Sequence, residues 1–388
     1  MSLILANQVV AMYNIFHPDF AYSRWQVYVA YLLITWLCCS VVLFFNRALP
    51  WLQQIGLVLI LGGCFVTIVV CAAMPDQHAS NSSVWRNWIN STGYGSDGFV
   101  FLMGMLNGAY AVGTPDCVTH LAEEIPNPRV NIPKAIGMQV ATGFFTAFFY
   151  LIAILYGVQD LDAVLGSPYT FPLAELYLQA TGTRAGSMGL MLVIFLPTVC
   201  TLIGCYITSG RMLWTLARDN ATPWAVWTGH VSKRFTNPFN ATLVCGIICT
   251  VLGAIYVGSY YAFNAFVGSF IVLSTISYLA AILPHYLTRK QYAKPGPFNI
   301  KGVFGYVLAA VASSYILAFA VIFCFPYAMP VDVVTMNYTC VTTGGFTIFF
   351  AAWYLWKRNR GYEGPTVLFG VEGEAAEMQR KGSVSAGI

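Results

Sequence analysis

Residues Asn107-Gly108-Ala109-Tyr110-Ala111-Val112-Gly113-Thr114-Pro115-Asp116 lie inside an apolar stretch, 99–121, otherwise suited to crossing a bilayer. A carboxylate there costs about 2.5–3.5 kcal/mol on insertion scales, so it must face a cavity, a partner or a ligand. Glycine tolerates non-helical backbone and proline removes a backbone donor, so the helix is expected to break. Amide groups freed at membrane depth need partners in protein, in water or in a ligand. The chemistry on offer is recognition. Half-helix ends and bare backbone suit the polar groups of a small solute, Asp116 suits an amine or quaternary ammonium, and the Tyr110 ring can cover a cation. The expected substrate-binding set is Asn107, Gly108, Tyr110, Gly113, Thr114 and Asp116.

Each feature also has a plainer reading. Thr114 at an N-cap, Pro115 at the first helical position and Asp116 in the first turn would start a lower half-helix with no ligand involved. Tyr110 could face lipid or another helix. Gly108 and Gly113 could mark close helix packing, although their spacing of five is not that of one packing face and favours unwinding. His120 reads first as an interfacial residue, with proton coupling as the alternative. Glu123, Glu124 and Arg129, with Arg218 and Asp219, could form an inner ionic gate or be solvated surface charge.

The elements that must hold these residues are membrane helices. The 388 residues are 58% hydrophobic and only 9% charged, with a mean hydropathy of +0.67, whereas soluble domains carry about 25% charged residues. Nine spans are predicted, at 25–45, 53–74, 98–121, 135–158, 186–208, 240–258, 263–285, 303–327 and 336–356. If 99–121 runs inward, every Lys and Arg except Arg24, Arg86 and Arg184 falls on the inner side, a bias that fixes orientation. The net charge of +4 is therefore a topology signal, and no nucleic-acid partner is implied. This orientation puts the sequons at Asn81, Asn90 and Asn337 outside, as candidate glycosylation sites, and those at Asn220 and Asn240 inside. The eleven cysteines show no C-x-x-C spacing and read as packing residues; Cys324 and Cys340 both approach the outer face, where a disulfide is weakly supported. Dispersed histidines give no legible metal site, and no cofactor is implied.

Residues 1–16 look like the outer end of an earlier span, too short to cross. They carry no signal-peptide features, so the expectation is a chain lacking its true N-terminus. A polar tail after Arg360 is expected to be disordered.

From His120 to Ile136 the sequence resembles the acidic-x-x-Asn-Pro-(basic)-x-x-Ile-Pro-(basic)-Ala pattern closing the sixth helix of amino acid–polyamine–organocation permeases. Gly108 to Asp116 is similar to that family's unwound sixth helix. Ser209-Gly210-Arg211-x-x-Trp214-x-x-Ala217-Arg218-Asp219 and Ala262-Phe263-Asn264-Ala265 match the inner end of the eighth helix and the start of the tenth. His17-Pro18-Asp19, Asn46-Arg47-Ala48-Leu49-Pro50 and Gln179-Ala180-Thr181-Gly182 resemble the fungal branch that includes choline and γ-aminobutyrate permeases. The resemblance implies an all-α, LeuT-like fold. Residues 1–360 would form the transmembrane domain, supplying helices four to twelve of twelve with a remnant of helix three at 1–16, and 361–388 a cytoplasmic tail. It also implies a secondary active transporter of a small amino acid, amine or choline-like solute, working by alternating access and coupled to a proton as in a symporter. The membrane would be the plasma membrane rather than an internal one.

Two other classes fit the composition less well. An enzyme would want clustered catalytic groups, whereas Asp116 is the one clearly intramembrane ionisable residue. A receptor would not need the break together with the Asn-Pro and Pro-Lys exit, whereas a scaffold or truncated paralogue that binds a solute without moving it stays the alternative, because the expected missing helices would carry half of the site.

Overall fold

The computed structural model describes residues 1–111, 113–122, 124–288, 296–362 and 364. Val112, the expected gate residue Glu123 and most of the expected tail 361–388 lie outside the described residues. The chain is all α-helical: the described residues hold one isolated bridge, Ser232 with Asn237, and no named strand. The helices are α1 (Ser2–Phe16), α2 (Arg24–Phe44), α3 (Leu49–Ala73), α4 (Asn81–Trp85), α5 (Asp97–Ala111), α6 (Pro128–Gly157) and α7 (Leu161–Leu165), followed by α8 (Leu173–Thr181), α9 (Arg184–Arg218), α10 (Ala225–Thr228), α11 (Phe239–Gly258), α12 (Tyr260–Leu287), α13 (Gly302–Ile322) and α14 (Thr339–Arg358). Short 3₁₀ segments cover Asn46–Ala48 and Pro115–Leu121.

Among the described residues seven helices, α2, α3, α6, α9, α11, α12 and α13, are long and apolar enough to cross a membrane. Of the other two expected spans, 336–356 is α14, a helix of 20 residues, and 98–121 is α5 plus the 3₁₀ segment. Local chemistry sets many of the ends. Ser23 and Gln26 form a capping box at the start of α2, and the side chains of Thr183 and Ser259 cap α9 and α12. Gly182, at φ 63°, closes α8 in the left-handed conformation that glycine adopts freely. Pro197, inside α9, interrupts the backbone ladder, and the Thr201 hydroxyl donates to its carbonyl at 2.9 Å.

Two boundaries differ from the sequence expectation. The span expected at 135–158 starts at Pro128, because Asn127 takes a left-handed backbone (φ 49°) and proline is pre-set for the first helical position. The span expected at 186–208 runs on to Arg218, anchored where the Trp214 indole donates to the Gly229 carbonyl at 3.0 Å. A hydropathy window sees only the apolar part of such a helix.

The core centres on α1 and α9. Nine of the 15 residues of α1 are buried, and they contribute to three hydrophobic clusters shared with α2, α8, α9 and Tyr256 of α11. Close contact is enforced by glycine. A Cβ on Gly253 of α11 would sit 2.3 Å from the Tyr31 ring of α2, and one on Gly210 of α9 would sit 2.4 Å from the Thr242 hydroxyl of α11.

Candidate functional site

The helix that begins at Asp97 stops at Ala111, about 22 Å along at 1.5 Å per residue, which is short of a bilayer core of roughly 30 Å. The chain resumes as a 3₁₀ helix at Pro115. Between them the carbonyls of Ala109 and Tyr110 come so near Gly113 that a Cβ there would lie 3.1 and 3.3 Å from them. Thr114 follows with φ 56° and ψ 42°, a conformation that costs a β-branched residue on the order of 1–2 kcal/mol. The Thr114 side chain makes no cap hydrogen bond, which weighs against the plainer reading of it as the cap of a lower α-helix. Its carbonyl accepts instead from Gln139 Nε2 of α6 at 3.4 Å. Gly108 stays inside α5 with open space beside its Cα, so among the described residues the unwinding falls on Gly113 and Thr114.

Asp116 sits in the first turn of the 3₁₀ segment, and both of its oxygens are engaged. Oδ1 accepts from the Tyr278 hydroxyl of α12 at 2.5 Å, and Oδ2 lies 3.3 Å from His120 Nε2. Its side chain is 32% exposed, so the carboxylate is held but reachable. Above the break, the Tyr110 hydroxyl donates to the Val267 carbonyl of α12, and its ring stacks on Phe270 at 6.3 Å and 22°. Ile271, from the same face of α12, packs with Met105, Leu106 and Ala109 of α5. Both halves of the interrupted helix are therefore pinned to one neighbour, α12, each through a tyrosine hydroxyl. Asn107 is exposed near the end of α5.

The expected gate residues group differently from the sequence reading. The link that crosses between elements is Arg211 of α9 with Glu124: Arg211 Nε and Nη2 engage the two carboxylate oxygens, the second at 2.9 Å. Arg218 lies 3.6 Å from its neighbour Asp219 and over the Trp214 ring at 5.2 Å. Arg129 stands in the first turn of α6. Arg211, Val267, Phe270 and Tyr278 were missed as site residues. Arg211 lies within the Ser-Gly-Arg motif, which marked its helix, and the α12 positions 267, 270 and 278, spaced by 3 and 8, fall on one helical face. Nothing local ties Tyr278 to Asp116.

The three sequons expected on the outer side separate on burial. Asn81 is exposed, while the Asn90 amide donates to the Tyr94 carbonyl and to Asp97, both at 2.9 Å. The Asn337 nitrogen is buried and donates to the carbonyls of Phe323 and Phe325, so the folded chain offers no access at Asn337. Cys324 and Cys340 are both free thiols, which corrects the weakly supported disulfide.

An all-helical chain with seven apolar spans, and one further span interrupted around a carboxylate, defines a multi-pass integral membrane protein. A family model described as amino acid permease matches residues 1–346, and the chain belongs to that family. It is 32% identical over 365 residues to the choline transporter of Saccharomyces cerevisiae, covering 93% of this chain and 64% of that protein. It is 29% identical over 357 residues to a putative amino acid/polyamine transporter of Macrophomina phaseolina, covering 89% and 77% of the two. An amino-acid permease of Arabidopsis thaliana is 25% identical over 326 residues, covering 82% and 63%. The chain thus spans just under two thirds of the length of the yeast relative. The family and these relatives are permeases and transporters, not enzymes.

Proposed function

We propose that this chain moves a small cationic or zwitterionic solute, an amino acid, amine or choline-like compound, across the plasma membrane by alternating access coupled to a proton. The observation that carries the reading is the interrupted helix, with a partly exposed carboxylate immediately below the break and an aromatic ring immediately above it. Asp116 receives the ammonium end. The backbone at Gly113 and Thr114 receives the polar groups of the solute, together with Asn107 and Gly108 on the last turns of α5. Tyr110 covers the site by leaving its hydrogen bond to α12. The Arg211–Glu124 pair closes the basic end, and because Glu124 is 54% exposed the pair is worth about 1 kcal/mol or less, weak enough to open in each cycle. In the twelve-helix plan of the family, α5 with the 3₁₀ segment takes the sixth position and α12 the tenth.

Uptake of labelled choline, γ-aminobutyrate and a panel of amino acids into permease-deficient cells tests this directly. Saturable uptake of one of them, lost in Asp116→Ala, is the expected result. Binding of a solute to the purified chain with no uptake, when surface expression is intact, would replace transport by a non-translocating binder.

A further inference from the structure

Beyond Asp219, the loop between α9 and α11 carries an open groove of about 500 Å³, lined by Asn220, Trp224, Val226, Trp227, His230 and Asn240. Its apolar walls are bare: Trp224 is 80% exposed, Val226 94% and Trp227 49%. Trp224 sits on a left-handed backbone, φ 48°, which bulky residues rarely adopt. The loop is nonetheless fixed in place. The Trp353 indole of α14 donates to the Ala221 carbonyl at 2.8 Å, the Asn240 side-chain amide to the Trp227 carbonyl at 2.8 Å, and the Trp214 indole to the Gly229 carbonyl at 3.0 Å. A preformed groove with exposed apolar walls is a surface that a matching segment can cover.

The chain itself delivers such a segment. Asn220, which lines the groove, donates through Nδ2 to the Gly361 carbonyl at 3.0 Å, so the chain leaves α14 beside the groove. The sequence continues as Pro365-Thr366-Val367-Leu368-Phe369-Gly370-Val371, followed by Glu372, Glu374 and Glu377. Phe369 is eight residues past Gly361, a stretch that reaches about 26 Å when extended at roughly 3.3 Å per residue. The charges are complementary as well. Residues 220–240 carry Lys233 and Arg234 and no carboxylate, while residues 363–379 carry four glutamates and no Lys or Arg.

We propose that Val367, Leu368 and Phe369 dock into the groove between α9 and α11 of the same chain, with the glutamates that follow directed to Lys233 and Arg234. A tether this short holds the segment at an effective concentration in the millimolar range, so a contact too weak to form between separate molecules is populated within one. Docking covers the bare faces of Trp224, Val226 and Trp227, and it clips the chain after α14 to the loop after α9. This contact is independent of the solute site and of which solute the chain carries.

The test is hydrogen exchange on the whole chain in phosphatidylcholine nanodiscs holding one copy each, compared with Phe369→Asp. The amides of Trp227, Thr228 and Gly229, which donate to the carbonyls of Trp224 and Ala225, should exchange about fivefold more slowly in the native chain than in Phe369→Asp, and Phe369→Leu should keep that protection. A benzophenone side chain placed at position 369 should cross-link to residues 224–230 of its own chain. Equal exchange in the native chain and Phe369→Asp overturns the proposal, and so does a cross-link that lands outside the loop. Protection that appears only with phosphatidylserine in the disc, and survives Phe369→Asp, would assign the groove to the lipid surface. Cross-links formed only between chains, in discs holding two copies, would assign it to a second copy. Either result also overturns docking within one chain.

Discussion

The scaffold around α1 and α9 and the interrupted helix are held in place in opposite ways. Nine of 15 residues of α1 and eleven of 35 in α9 are buried, whereas α5 and the 3₁₀ segment bury none. Dispersion and glycine-enforced contact hold the scaffold. The interrupted helix is held by a handful of polar links: Tyr110 to Val267, Tyr278 to Asp116, Gln139 to Thr114 and Arg211 to Glu124. Packed cores deform little, whereas discrete polar links can be exchanged one for another. A permease needs both: a frame that stays put, and beside it an element whose few contacts a solute can replace.

The comparison can be broken from the scaffold side first. Tyr177 is fully buried and shares a 2.7 Å hydrogen bond with the Tyr150 hydroxyl, so Tyr177→Ala should cost about 3–5 kcal/mol of stability in detergent unfolding. Loss below 1 kcal/mol would mean that the frame is not the rigid half. A smaller perturbation in the same region is Gly253→Ala, whose Cβ meets the Tyr31 ring at 2.3 Å; overpacking there should cost about 1–3 kcal/mol.

On the interrupted helix the sign should reverse. Thr114→Gly relieves a left-handed β-branched residue and should raise stability by about 1 kcal/mol, to be read as an upward shift of the unfolding midpoint. A fall instead would show that the Thr114 side chain contributes something the backbone strain does not reveal.

The smallest effect belongs to the loop before α14, which meets the segment before α5 where the Met329 amide donates to the Thr92 carbonyl at 2.7 Å. The amides of Val334 and Thr335 and the Thr335 hydroxyl all donate to the Asp332 carboxylate and hold its pKa below the ordinary value. Because the folded pKa is depressed, this contribution is complete above the ordinary carboxylate range and is lost as the pH falls through the folded value. Amide exchange at Val334 and Thr335 should accelerate there, and Asp332→Asn should abolish the pH dependence.

Most spans were legible because a run of apolar residues has one economical fate in a bilayer, and the break was legible because Gly113, Thr114, Pro115 and Asp116 each disfavour an uninterrupted apolar helix. The left-handed Thr114 was not, since threonine at that position reads as a cap. The weight of residues 1–16 was also hidden: a short apolar helix looks the same in sequence whether it trims an edge or anchors three clusters. Tyr278 lies 162 residues from Asp116, and only the fold brings the hydroxyl to the carboxylate. Burial of Asn337 depended likewise on the Phe323 and Phe325 carbonyls just past the end of α13, so its sequon alone could not exclude it.

The most direct test of the central claim compares equilibrium binding of labelled choline with binding of its neutral isostere 3,3-dimethylbutanol, in the native chain and in Asp116→Asn. If the carboxylate below the break receives the cationic end, the native chain prefers choline and Asp116→Asn loses about 2 kcal/mol of that preference, roughly thirtyfold, while binding of the neutral isostere is unchanged. Equal preference in both proteins would place the cation elsewhere and leave Asp116 as a structural link to α12.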